Sequence, residues 1–198
     1  MRMSLFISCV ILLMSVLAVA GPTTKPAGDA KPAAGKEPAA GEDFIVSKMR
    51  VQEFKPVTFF YAETQTTLSQ IGPVVTDLVD KLKNTVKEGH VEIKGPLIFV
   101  YQGVSQDPNK QFTLQVGFSV APETKDLGEF KVRQLDKFRA ATVIFSGPVM
   151  QVGAAYQQLF TDLFAAGLQP TEETREYYLY WEAPDSPNNV ELLQAGIK

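Results

Sequence analysis

Tyr61, Tyr101, Phe145, Tyr180 and Trp181 are the residues of this 198-residue chain best suited to holding a small molecule. Flat rings offer large apolar area on which a planar ligand can stack, and tyrosine hydroxyls can orient it. Each ring also has packing in a core as its competing role. Gln115 and Gln194 recur at matching places in two similar stretches, "PNKQFTLQVGF" (Pro108 to Phe118) and "PNNVELLQAGI" (Pro187 to Ile197). A buried amide must find donors and acceptors, so these glutamines face either a groove or solvent and strand backbone. In a groove they would suit a neutral polar or aromatic ligand, because an amide brings no charge to offset the desolvation of a cation. Nor can it act as a general base. Glu182, next to Trp181, is the candidate carboxylate, and its place near a turn favours solvation.

Other chemistries find little support. The lone cysteine, Cys9, lies in an apolar N-terminal run, and His90 is the lone histidine, following Gly89 in a turn. A zinc site lacks its ligands. No Ser-His-acid set is visible, and "GPVMQVG" lacks the Lys-Ser/Thr element of a phosphate loop. The net charge is −3 with acids and bases interspersed, so no basic stripe suggests nucleic acid.

The elements that must position these residues come in two copies. "FKPVTFFYAET" (Phe54 to Thr64) aligns with "FRAATVIFSGP" (Phe138 to Pro148), and each is followed by a helical pattern, a strand, a Pro-Asn turn and a last strand. Ile71, Val75, Leu78, Leu82 and Val86 form one apolar stripe; Val152, Ala155, Leu159, Leu163 and Ala166 form the other. Pro73 suits a helix start, and Gly89 and Gly167 suit helix stops. "KMRVQEF" and "FKVRQLD" alternate as half-buried strands do. "PLIFVYQ" (Pro96 to Gln102) and "EYYLYWE" (Glu176 to Glu182) are apolar on both faces, and their alignment sets Tyr101, Tyr180 and Trp181 at related places. The expectation is an α+β domain: tandem strand-strand-helix-strand-strand units (44–122 and 128–198), an antiparallel sheet, two main helices, and a cleft between pseudo-two-fold halves.

Residues 1–20 carry Arg2, an apolar run from Leu5 to Leu17, and Ala18-Val19-Ala20. This is the pattern of a cleaved signal peptide, which predicts export to the periplasm or the extracellular space and no stable membrane span after cleavage after Ala20. Residues 21–43, rich in Ala, Pro, Gly and Lys, read as a disordered linker, either a plain leader or a tether.

"ATVIFSGPVMQVGAAYQQLFTDLFAAGLQP" (Ala141 to Pro170) resembles the second half of the gyrase-inhibitor-like, or bacterial effector-binding, domain family, through Gly147-Pro148, Tyr156, Leu159 and Gly167-Leu168-Gln169-Pro170. "YWEAP" (Tyr180 to Pro184) resembles the family's turn into the last strand. In the first half, "AETQTTLSQIGP" lacks the compact Gly-Pro turn. The resemblance implies tandem units around a cleft and the binding of small organic molecules, often planar or cationic. It also implies a pocket glutamate on the last strand, where the aligned positions are Gln194 and Gln115. The functional expectation is an exported, non-catalytic binder of a small aromatic or neutral ligand with no cofactor. The alternatives are a hydrolase of reactive small molecules on the same fold, or a haem or tetrapyrrole binder like the distantly related SOUL family, with His90 as axial ligand.

Overall fold

The computed structural model describes residues 44–88, 91–105 and 107–198. The leader, the linker and His90 lie outside the described residues. The elements run β1 (Ile45–Val46), β2 (Arg50–Phe54), β3 (Val57–Thr66), α1 (Ile71–Lys87), β4 (Ile93–Gln102), β5 (Phe112–Val120), β6 (Lys131–Leu135), β7 (Phe138–Ser146), a 3-10 turn (Val149–Gln151), α2 (Val152–Ala165), β8 (Pro170–Tyr180) and β9 (Val190–Ile197). They build one antiparallel sheet in the order β1-β7-β9-β8-β4-β5-β3-β6, with β2 also on β7. The α+β class and the tandem unit expected from the sequence are both present.

Both helical stripes bury as their periodicity requires. Ile71, Leu78 and Leu82 of α1 are buried, as are Val152, Ala155, Leu159 and Leu163 of α2. Gly167, at φ 70°, ends α2. Its N–H donates to the Phe164 carbonyl, and that of Leu168 donates to the Leu163 carbonyl, the bonding of a Schellman stop. The helices share one face of the sheet, α1 over β3 and β5 and α2 over β7 and β9. The central pair β4–β8 therefore lies between them.

The opposite face carries a second, smaller core of Phe59, Ile98, Val100 and Leu135. This is why β4 reads as apolar on both faces. β2 is more exposed than its alternating pattern implies, because it is an edge strand with one neighbour.

One arrangement departs from simple tandem packing. The first strand of each unit pairs with the other unit: β2 with β7, and β6 with β3. Only Lys55-Pro56 joins β2 to β3, and only Asp136-Lys137 joins β6 to β7. Neither dipeptide offers the Gly or Asn that a two-residue hairpin needs. Each instead steps from one edge of the sheet to the other, so the sheet curls until Phe54 pairs with Phe138 and Val57 with Leu135 at a common corner.

The pairings also correct the repeat alignment. Glu63 pairs with Gln115 as Thr142 pairs with Gln194, so Phe59, not Phe54, is the counterpart of Phe138. Val100 pairs with Gln115 as Arg175 pairs with Gln194, so the counterpart of Tyr101 is Glu176 rather than a residue of the Tyr180-Trp181 pair. Val100 and Arg175 face each other, and the pseudo-axis passes between them.

Gly117 and Gly196 are counterparts with one task. A Cβ on Gly117 would lie 2.1 Å from the Phe60 carbonyl and 2.8 Å from the Phe59 ring. On Gly196 it would lie 2.3 Å from the Thr171 hydroxyl and 2.9 Å from the Phe138 ring. Each glycine lets a phenylalanine lie across the strand where the sheet bends. Gly117→Ala and Gly196→Ala are each expected to lower stability by about 2 kcal/mol or more, read from urea unfolding midpoints.

Candidate functional site

Alternation along β8 sends Glu176 and Tyr178 to the helix side and Arg175 and Tyr177 to the other. The helix side, at the central pair, holds the most unusual chemistry of the molecule. The buried Glu176 carboxylate accepts hydrogen bonds from three tyrosine hydroxyls brought by three elements. Tyr101 on β4 donates to Oε2 at 2.7 Å, Tyr178 on β8 to Oε2 at 3.0 Å, and Tyr156 on α2 to Oε1 at 2.9 Å. Rings enclose this cluster. Phe99 lies 4.7 Å from Tyr178, and Trp181 meets Tyr178 edge-on at 5.7 Å. Phe160 stacks on Tyr156 at 6.3 Å and leads to the exposed Phe164.

A second acid lies beside it. Glu191 on β9 is opposite Tyr178 on one side and Phe145 on the other, and it is completely buried. Neither of its carboxyl oxygens has a hydrogen-bond partner among the described residues. Burial and then the Glu176 charge push its carboxyl up to about 9. Burial raises Glu176 as well, opposed by the three tyrosine hydrogen bonds. Tyr101, Tyr156 and Tyr178 are pushed well above the usual phenol value by burial first and by Glu176 second. They are therefore proton donors throughout the physiological range.

The residues singled out in the sequence fall in different places. Tyr101 belongs to the cluster, Phe145 lies in the core under α2, and Trp181 sits at the rim, 37% exposed. Tyr61, Gln115 and Gln194 are on the opposite face. Tyr61 stacks on Phe59 at 5.1 Å with Arg133 over its ring. Gln115 donates to Glu63 and accepts from Arg133 at 2.6 Å. Gln194 is fully buried between Thr142 and Arg175, whose guanidinium covers Phe138 at 3.8 Å. Tyr180 ends β8 and Glu182 lies in the turn that follows, where Tyr180, Ser186 and Asn188 all donate to the Glu182 carboxylate at 2.9, 2.6 and 3.0 Å. Those bonds, that of Ser186 first, hold the exposed Glu182 below the usual carboxylate range. Glu182 thus braces the turn that carries Trp181.

Glu176, Glu191, Tyr156 and Tyr178 were not among the site residues expected. Their signal was one of phase. On β9, Glu191 alternates with Leu193, Ala195 and Ile197, so it shares the apolar face, and Gln194 does not. Glu176 likewise falls in phase with Tyr178. The last strand does carry a buried glutamate, three residues before the position at which the resemblance set it.

The GyrI-like small molecule binding domain profile matches residues 47–194. The chain belongs to this family. Solved structures agree in fold. The C-terminal domain of EcmrR has a TM-score of 0.64 at 17% identity, over 76% of this chain and 97% of that domain. EcmrR in a complex with DNA has a TM-score of 0.65 at 16% identity over the same share, and this GyrI-like chain spans 57% of its length. SAV2435 bound to tetraphenylphosphonium has a TM-score of 0.57 at 9% identity, covering 77% of this chain and 94% of that one. No curated protein sequence matches the chain. No helix among the described residues is long and apolar enough to cross a membrane.

Glu191 gives this GyrI-like domain a pH signature. Its folded value lies above its ordinary one, so between about pH 4.5 and pH 9 the folded state retains a proton that the unfolded state has lost. Stability from this group is complete below that window and falls as pH rises through it, by up to about 1.4 kcal/mol per pH unit. Glu191→Gln is expected to flatten the decline and to make the protein more stable than the wild type at pH 8, read from urea midpoints across pH 5 to pH 9.

Proposed function

We propose that this domain binds a lipophilic aromatic cation between α1 and α2, above β4 and β8. The observation that carries the reading is the buried Glu176 carboxylate with three converging tyrosine hydroxyls. A buried carboxylate is costly unless paired. The tyrosines stabilise it in the empty state, and a cation would supply the missing opposite charge. Phe99, Tyr101, Tyr156, Tyr178 and Trp181 add ring faces that attract a cation and cover its apolar surface. The expectation of a neutral ligand rested on Gln115 and Gln194 lining the pocket, and both point to the opposite face. The tetraphenylphosphonium bound by SAV2435 is a ligand of this class on the same fold.

The role is binding rather than turnover. All of the carboxylate's bonds in the site come from tyrosine hydroxyls, which hold it as an acceptor with no free base opposite a substrate. The leader and linker of residues 1–43 suit a domain that does this work after export, as a scavenger, carrier or sensor.

Trp181 is the single tryptophan of the chain and stands against Tyr178, so its fluorescence reports on the site. Titration with tetraphenylphosphonium is expected to quench or shift this emission with saturation. Glu176→Gln is expected to weaken binding about 30-fold or more, the effect of removing the charge from a buried pair. Saturable binding that loses less than threefold on this substitution would remove Glu176 from the reading.

A further inference from the structure

Indole and phenol rings are among the side chains that give up single electrons most readily, and here they stand in line. Trp181, the single tryptophan of the chain, is exposed at the rim, and its ring meets that of Tyr178 edge-on at 5.7 Å. The Tyr178 hydroxyl, turned inward, donates to the buried Glu176 carboxyl at 3.0 Å. A phenol that loses an electron becomes a very strong acid, so its oxidation is easy only where a base already holds its proton. Glu176 accepts from Tyr178, Tyr101 and Tyr156 alike, and an acceptor is the form that can take a proton. The exposed Tyr180 also has a carboxylate, Glu182, but that group is held below the usual carboxylate range by its donors, that of Ser186 first, and is the poorer base. Burial pushes Glu176 the other way.

We propose that Trp181, Tyr178 and Glu176 form a one-electron relay that quenches a radical oxidant at the surface and keeps the resulting hole inside as a tyrosyl radical. The oxidant, a diffusing one-electron radical, takes an electron from Trp181 and leaves as its anion, and Trp181 becomes a radical cation. An electron then passes from Tyr178 to Trp181 as the phenolic proton passes to Oε2 of Glu176. The products are a neutral Trp181, a Tyr178 phenoxyl radical and a protonated Glu176. Tyr101 and Tyr156 still donate to that carboxyl and keep it in place. The step uses the proton of Tyr178 and no ligand, so it stands apart from the cation reading above.

The test follows the two radicals by their separate absorbances. The azide radical, generated by pulse radiolysis at neutral pH, oxidises tryptophan in preference to tyrosine. In the wild-type protein the tryptophanyl signal is expected to decay as a tyrosyl signal rises, at a rate independent of protein concentration. The conversion is expected to vanish in Tyr178→Phe, to persist in Tyr180→Phe, and to slow about 100-fold in Glu176→Gln, which keeps an acceptor oxygen but no base. Decay with no tyrosyl signal, a rate that scales with protein concentration, conversion that survives Tyr178→Phe, or an unchanged rate in Glu176→Gln overturns the proposal. Where a variant does not fold, the wild-type protein in heavy water decides: proton transfer coupled to the electron step slows the conversion, and an unchanged rate overturns the relay. Binding of tetraphenylphosphonium is read separately, so failure of the relay leaves the cation reading standing and the reverse holds as well.

Discussion

A carboxyl group far from water, met by three tyrosine hydroxyls, is the constraint around which the middle of this molecule is arranged. Glu176 could not stay buried on β8 without donors, and its own strand supplies one, Tyr178. The others come from β4 and α2, so the hydrogen bonds tie together the two halves and one of the helices. Charge-assisted bonds of this kind are about twice as strong as neutral ones. They also fix geometry, because losing any donor leaves a buried charge less satisfied. The cluster works as a keystone between the halves and as the candidate recognition site, and the two roles draw on the same atoms.

Duplication explains how such a site could arise without disturbing the frame. The halves agree at positions that shape the sheet: Gly117 with Gly196, Phe59 with Phe138, Gln115 with Gln194. They differ at positions on the helix side of the sheet. Where the second half has Glu176 and Glu191, the first has Tyr101 and Phe112, whose rings lie 6.1 Å apart. One half has an apolar filling where the other has acids. The Tyr101–Glu176 hydrogen bond joins two counterparts that have diverged into donor and acceptor.

Much of this frame was legible in the sequence because it rests on local periodicity. The two helices follow from stripes ending in glycine, and the strand order of each unit follows from alternation and turn residues. The exchange of β2 and β6 was not legible, since no periodicity says which strand a neighbour will pair with. The short connectors Lys55-Pro56 and Asp136-Lys137 carried the one hint, by lacking hairpin chemistry. The site was half legible for a related reason. Aromatic residues announced themselves by type, but the side on which Gln194 or Glu191 stands depends on strand phase, and a sheet packed on both faces hides that phase. A strand such as "PLIFVYQ", apolar throughout, gives no contrast by which to assign it.

The exchanged strands have a consequence for the order of assembly. A chain is made from its N-terminus, so β2 exists long before β7, the one strand it can pair with. Until β7 arrives, the first unit has an open position beside β3 that only β6 can fill. Neither unit can be completed first, and contacts so distant in sequence close slowly. The nascent protein is therefore committed to a late, all-at-once closure, during which unpaired strand edges are open to strangers. A domain built this way gains from whatever keeps its chain apart from others until the last strand is present.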